Sequence, residues 1–112
     1  MYVSIRHYTT NDSPNAVCVH LGPHMDLYFS YETIVAFWTA ATGLVACENV
    51  WTRTTGKHLN AIAPEHNDRV PLAVYNKMLA EALGRLDTCL KHMDKLELMR
   101  RLEEGGGNDE EQ

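Results

Sequence analysis

A chain of 112 residues that is 45% hydrophobic has the length of one small domain. It can bury only a modest core, so a partner subunit covering apolar surface would help it. Its net charge of -5 equals the five carboxylates of its last ten residues (Glu103, Glu104, Asp109, Glu110, Glu111), which leaves residues 1–102 balanced and excludes a folded mimic of DNA, whose acidic groups must be spread over an ordered surface.

The first half reads as strands. "YVSIRHY" alternates, with Val3 and Ile5 on one face, and "TTNDSPN" is a loop of turn formers. "AVCVHL" sets Val17, Val19 and Leu21 against Cys18 and His20, and "GPH" turns the chain. "MDLYFSY" places Met25, Leu27, Phe29 and Tyr31 on one face. "TIVAFW" is apolar on both, as in a central or doubly covered strand. Tyr31-Glu32 lacks the Gly or Asn chemistry of a tight hairpin. "DLYFSYETIVAFW" therefore reads as one long strand, kinked or bulged near Glu32, with two short strands as the alternative. "LVACENVW" closes a meander of four antiparallel strands, or five on the alternative.

The second half reads as helix. Thr54 or Thr55 can cap a short helix from Gly56 to about Ala63, which Pro64 ends. Pro71 suits a first helical turn, with Asp68 as its cap. From there to Glu104 no proline interrupts. Leu79, Leu86 and Met93 fall seven apart, Ala82, Cys89 and Leu96 do the same, and Leu83 and Leu90 widen the stripe. A continuous helix over residues 71–104 would be roughly 50 Å long, against a radius of gyration of about 13 Å for a domain of this size. It must break, near Gly84, or project. A projecting apolar stripe needs cover, so a homodimer is expected through Leu79, Leu86, Leu90, Met93 and Leu96.

The expected fold is thus α+β: a sheet over 1–51, a short helix over 54–63 and a long or broken helical segment over 71–104, forming one domain over 1–104. Residues 105–112 read as a disordered acidic tail. The expected core is Leu27, Phe29, Val35, Phe37, Val45, Leu79, Leu83 and Leu86. No window approaches the roughly 18 apolar residues of a membrane span, and no apolar leader follows Met1. Cys18, Cys47 and Cys89 are scattered without a CxxC, which suits a reducing compartment. A soluble cytoplasmic protein without membrane association is expected.

The stretch "NVWTRTTGKHLNAI" concentrates candidate chemistry. Backbone amides at a helix start lack intrahelical partners and, with the hydroxyls of Thr54 and Thr55, make an anion site. Arg53 and Lys57 add positive charge, His58 and Asn60 add donors, Trp51 offers a stacking face, and Gly56 admits a close neighbour. The same residues also have purely structural uses, as a cap, a core filler and solvated cations. His20 and His24 flank a turn, but two histidines alone rarely hold a metal. No nucleophile–base spacing stands out among the cysteines and His58, and no glycine-rich nucleotide loop is present. No cofactor, no metal and no enzymatic activity are expected.

"YFSYETIVAF" followed by "ENVWTRTTGKHLNAI" resembles a family of small, uncharacterised tailed-phage proteins. These share a Ser-Tyr-x-Thr-Pro-(Ile/Val)-Ala strand and an Asn-x-Trp-Ser-x-Thr-Thr-x-(Lys/Arg)-His-(Leu/Ile)-Asn motif. The chain matches at Ser30, Tyr31, Thr33, Val35, Ala36, Asn49, Trp51, Thr54, Thr55, Lys57, His58, Leu59 and Asn60. It departs at Ile34 and Thr52, where the family often has proline and serine. The resemblance implies a phage origin and no known chemistry. With it, the expected function is a non-catalytic interaction protein that binds host machinery, of the anti-CRISPR or anti-defence class. The alternative is a nucleic-acid-binding module using the Trp51–His58 patch, against which the negative net charge counts. A phage structural or assembly component is a third, blander reading.

Overall fold

A computed structural model of the chain describes the backbone of residues 3–103 and the side chains of residues 3–87. Five strands, β1 (Val3–His7), β2 (Ala16–Leu21), β3 (Met25–Ser30), β4 (Thr33–Thr39) and β5 (Gly43–Ala46), are followed by α1 (Arg53–Ile62), a single 3-10 turn at His66–Asp68, and α2 (Leu72–Glu103). The strands pair antiparallel in sequence order. The fold is α+β, as expected, with the five strands of the alternative count rather than four.

The extra strand arises where one long strand was expected. Tyr31 and Glu32 form a two-residue turn between Ser30 and Thr33, and Tyr31 takes the turn's positive φ of 57°. That conformation costs a non-glycine residue on the order of 1–2 kcal/mol. Contacts from elsewhere in the chain offset it: Tyr31 N–H donates to Asn15 O at 2.8 Å, and its ring lies 5.9 Å from that of His58. A bulge does exist, three residues further on. Phe29 pairs with Ile34 but Tyr28 pairs with Ala36, so Val35 is the extra residue. A bulge turns two successive side chains toward one face, and Val35 and Ala36 both enter the core under α1.

The sheet is covered on both faces at β4. On one face Val35, Ala36 and Ala46 pack with Leu59 and Ala63 of α1. The cross-strand row Cys18, Tyr28, Ala36, Ala46 belongs to this face. Ala16 and Cys18, on this face, are fully buried, while Val17, Val19 and Leu21, on the other, are only half-buried. The other face carries Leu27, Phe37 and Val45 in register. There the Phe37 ring meets Tyr75 at 5.8 Å, and Tyr75 Oη donates to Ile34 O at 2.7 Å.

Of the expected core, Leu27, Val35, Phe37 and Val45 are buried. Phe29, Leu79, Leu83 and Leu86 are only half-buried, and Met25, Leu59 and Tyr75 take the deepest places instead.

Asp68 does not cap α2. It sits in the 3-10 turn, and Glu48 Oε2 accepts the Leu72 N–H at 3.1 Å in its stead. The connection before α2 is stitched along β5: Val70 N–H donates to Ala46 O and Glu48 N–H to Val70 O, each at 2.9 Å. The helix then runs unbroken through Gly84 to Glu103. The chain divides within it into two compact units, residues 1–79 and 80–112. Among the described residues no helix is long and apolar enough to cross a membrane. Of the stripe expected to join two copies, Leu79 and Leu86 are half-buried, and the side chains of Leu90, Met93 and Leu96 lie outside the described residues, as does the tail over 105–112.

Candidate functional site

The start of α1 is built by its own sequence. Thr52 is extended and its hydroxyl accepts the Thr55 N–H at 3.2 Å, so the cap is Thr52, and neither Thr54 nor Thr55. The helix consequently begins at Arg53, three residues earlier than Gly56. Asn49 holds the approach: its Oδ1 accepts the Trp51 N–H and its Nδ2 donates to Thr52 O, both at 3.0 Å. A Cβ on Gly56 would lie 2.8 Å from Asn49 Nδ2. The close neighbour that Gly56 admits is therefore Asn49, and Gly56 also lines the cleft beside α1.

The helical period then divides the candidate residues. Thr55, Leu59 and Ala63, four apart, face the sheet with His58. Ser30, at the end of β3, meets two of them: its Oγ lies 2.7 Å from His58 Nδ1 and 3.0 Å from Thr55 Oγ1. The rings of Tyr8 and Tyr31 flank His58 at 6.3 and 5.9 Å. Burial lowers the His58 pKa below its ordinary value, which disfavours the charged imidazolium. Thr55 and His58 thus leave the expected binding patch and become part of a buried polar joint between the sheet and α1. Trp51 is half-buried and packs on the α1 core.

Arg53, Thr54, Lys57 and Asn60 remain on the outside. Arg53, Lys57 and Asn60 line a cleft of about 410 Å³, together with Glu48, Asn49, His66 and Arg69. Arg69 is fixed there. Its Nε and Nη2 donate to Ala63 O, closing the C-terminus of α1, and Nη2 also reaches Asn60 Oδ1 at 2.8 Å. His66 Nε2 lies 3.3 Å from the same Oδ1. Among the described residues Arg53, Lys57 and Arg69 make no ion pair with a carboxylate. Asn49, His66 and Arg69 are site residues that periodicity could not find, because they come from connections. For Arg69 the one available signal is that a base in the connection after a helix can reach back to its last carbonyls.

His20, considered above as a ligand with His24, is in contact through Nδ1 with Asp26 Oδ1, directly across the β2–β3 ladder. Cys18 and Cys47 are buried free thiols. Burial pushes both upward in pKa, Cys47 to about 11, which disfavours the reactive thiolate.

The chain belongs to a family of unknown function, DUF8033, which it matches over residues 4–77. That span takes in the sheet, α1, the cleft and the first turns of α2. No curated protein and no solved structure matches the chain.

Proposed function

We infer that the protein is a non-catalytic binding module. Its recognition element is the cleft of α1, and its ligand is an anionic group on the surface of a partner protein. One observation carries this reading: Arg53 and Lys57 stand one turn apart on a rigid helix, exposed and free of intramolecular carboxylate partners among the described residues, with Arg69 fixed across the cleft. Cations held without a counter-ion bind an incoming carboxylate or phosphate without first breaking an ion pair. The burial of Ser30 and His58, 2% and 6% exposed, supports the non-catalytic reading, since no substrate atom reaches Ser30 Oγ. The likeness to tailed-phage proteins supports host machinery as the partner, in the manner of an anti-CRISPR or other anti-defence inhibitor.

A nucleic-acid backbone is the second reading, favoured by the convergence of Arg53, Lys57 and Arg69. Two things weigh against it. Trp51 is half-buried against the α1 core, which restricts the ring face it can offer a base. Three cations also neutralise too few phosphates for tight binding at physiological salt.

The test is capture of a partner from bacterial host lysate by the wild-type chain and by an Arg53→Glu, Lys57→Glu variant. Loss of one discrete protein in the variant supports the reading. Identical capture by both overturns it. Binding to labelled oligonucleotides that falls steeply with salt and disappears in the variant selects the second reading.

A further inference from the structure

The two edges of the sheet are not alike. Beyond β5 the chain is stitched down by Val70. β1 is the opposite edge, and all five of its residues are exposed. Val3 and Ile5 are 57% and 68% exposed, the two highest values among the exposed large hydrophobics. Both lie on the face away from α1, because Ile5 pairs with Val19 and so joins the row of Leu27 and Phe37.

The hydrogen-bond phase of this edge follows from one contact. Tyr8 N–H donates to Ala16 O. Antiparallel alternation then turns the backbone groups of Arg6 and Ser4 toward β2 and those of Val3, Ile5 and His7 toward the free edge. Edge strands of monomers are normally guarded by a charged side chain, a proline or a bulge. β1 contains no proline, and its register with β2 is unbroken. Its one formal cation is withdrawn: the Arg6 guanidinium lies over its own sheet, 5.9 Å from the Tyr28 ring centre and 3.5 Å from Tyr28 Oη.

We propose that β1 pairs antiparallel with β1 of a second copy, about a two-fold axis at Ile5. The outward groups fall at positions 3, 5 and 7, which are symmetric about 5. Ile5 therefore faces Ile5 of the partner subunit, and Val3 faces His7 of the partner subunit. Each of these pairs is in the hydrogen-bonded phase, so every outward N–H and C=O of both edges finds a partner. Directly opposed residues share a face, which merges Val3 and Ile5 of the two copies into one apolar patch. Ser4 lies opposite Arg6 of the partner subunit, so no like charges are opposed. This self-complementarity is what selects a second copy over an unrelated strand. An edge of five residues is at the small end of interface sizes, so the pairing is concentration-dependent in the micromolar range. It is distinct from the contact expected through Leu79, Leu86 and Met93.

Light scattering after size exclusion, from about 5 to about 500 μM, tests it on the full chain. The wild-type mass is expected to rise from 12.7 kDa toward twice that value. Ile5→Lys, at an exposed position, should hold the monomer mass throughout with an unchanged melting curve, while Leu86→Glu behaves as wild type. Val3→Lys is the second edge variant, should Ile5→Lys fail to fold. A wild-type monomer at the highest concentration overturns the proposal. So does a dimer that Ile5→Lys or Val3→Lys leaves intact but Leu86→Glu dissolves.

Discussion

Ser30 Oγ lies 2.7 Å from His58 Nδ1, which ties the last residue of β3 to the middle of α1 across the sheet–helix interface. Both residues, and Thr55, the other partner of Ser30, lie within the span that matches the family of unknown function. Two stretches distant in sequence thus form one buried joint in the fold. Ser30→Ala is expected to cost about 1–3 kcal/mol, because it removes the partner of the buried His58 Nδ1 and leaves Thr55 Oγ1 with only the longer contact from Thr52 Oγ1 at 3.4 Å. Urea unfolding measures this. The Ser30→Ala, His58→Ala double variant should lose less than the sum of the single losses; strict additivity would mean that the two do not interact.

The same joint makes stability depend on pH with a defined sign. Burial lowers the folded-state pKa of His58 below its unfolded value of about 6.5. Above that value both states are neutral and the joint contributes fully. As pH falls through 6.5, the unfolded chain takes up a proton that the folded chain refuses, so stability declines until the folded pKa is reached. Urea midpoints at pH 7.5, 6.5 and 5.5 should fall in that order, and His58→Gln should flatten the series. An equal slope in the variant would assign the effect elsewhere.

Gly56 and Asn49 form a second coupled pair. Alanine at position 56 gains about 1 kcal/mol of helix propensity, but its Cβ would meet Asn49 Nδ2 at 2.8 Å and displace the side chain that holds Trp51 N–H and Thr52 O. Gly56→Ala alone is therefore expected to destabilise. In an Asn49→Ala background the obstruction is gone, and the same change should stabilise by up to about 1 kcal/mol. A thermal-melt comparison of the four proteins reads the reversal of sign directly.

The cap assignment separates neighbouring threonines. Thr52→Ala removes the acceptor of the Thr55 N–H and should cost about 1 kcal/mol. Thr54 is exposed, and Thr54→Ala should stay within about 0.5 kcal/mol of wild type. Equal losses would return the cap to an open question between them.

These residues show what was legible from the chain. The change of period, two before Trp51 and near 3.6 after Pro71, sufficed for the α+β class. The inward turn of Thr55 was also open to reading, since Thr55, Leu59 and Ala63 recur every four residues. The hairpin at Tyr31 was not. Its left-handed φ is held by Asn15 O and by contact with His58, and both come from other elements. Local turn chemistry pointed away from a hairpin because tertiary contacts pay the local cost. The cleft was half legible for the same reason. Arg53, Lys57 and Asn60 share a helical face, whereas Arg69 and His66 reach it only because Arg69 closes the end of α1.

Arg69 also separates binding from folding in the final prediction. Its guanidinium both lines the cleft and caps Ala63 O, so Arg69→Ala should lower stability by about 1 kcal/mol and weaken anion binding together. Arg53 and Lys57 line the cleft without an ion pair among the described residues. The Arg53→Ala, Lys57→Ala variant should keep its stability within about 0.5 kcal/mol and lose only the binding. Pyrophosphate is a suitable probe, compared with sodium chloride at matched ionic strength to cancel general screening. At about ten times its Kd a ligand adds about 1.4 kcal/mol to the folded state, a rise of several degrees in Tm for a domain of this size. Differential scanning fluorimetry should show that rise for the wild-type chain and a much smaller one for the Arg53→Ala, Lys57→Ala variant. An equal rise in both would place the anion away from α1 and remove the basis for the cleft as the recognition element.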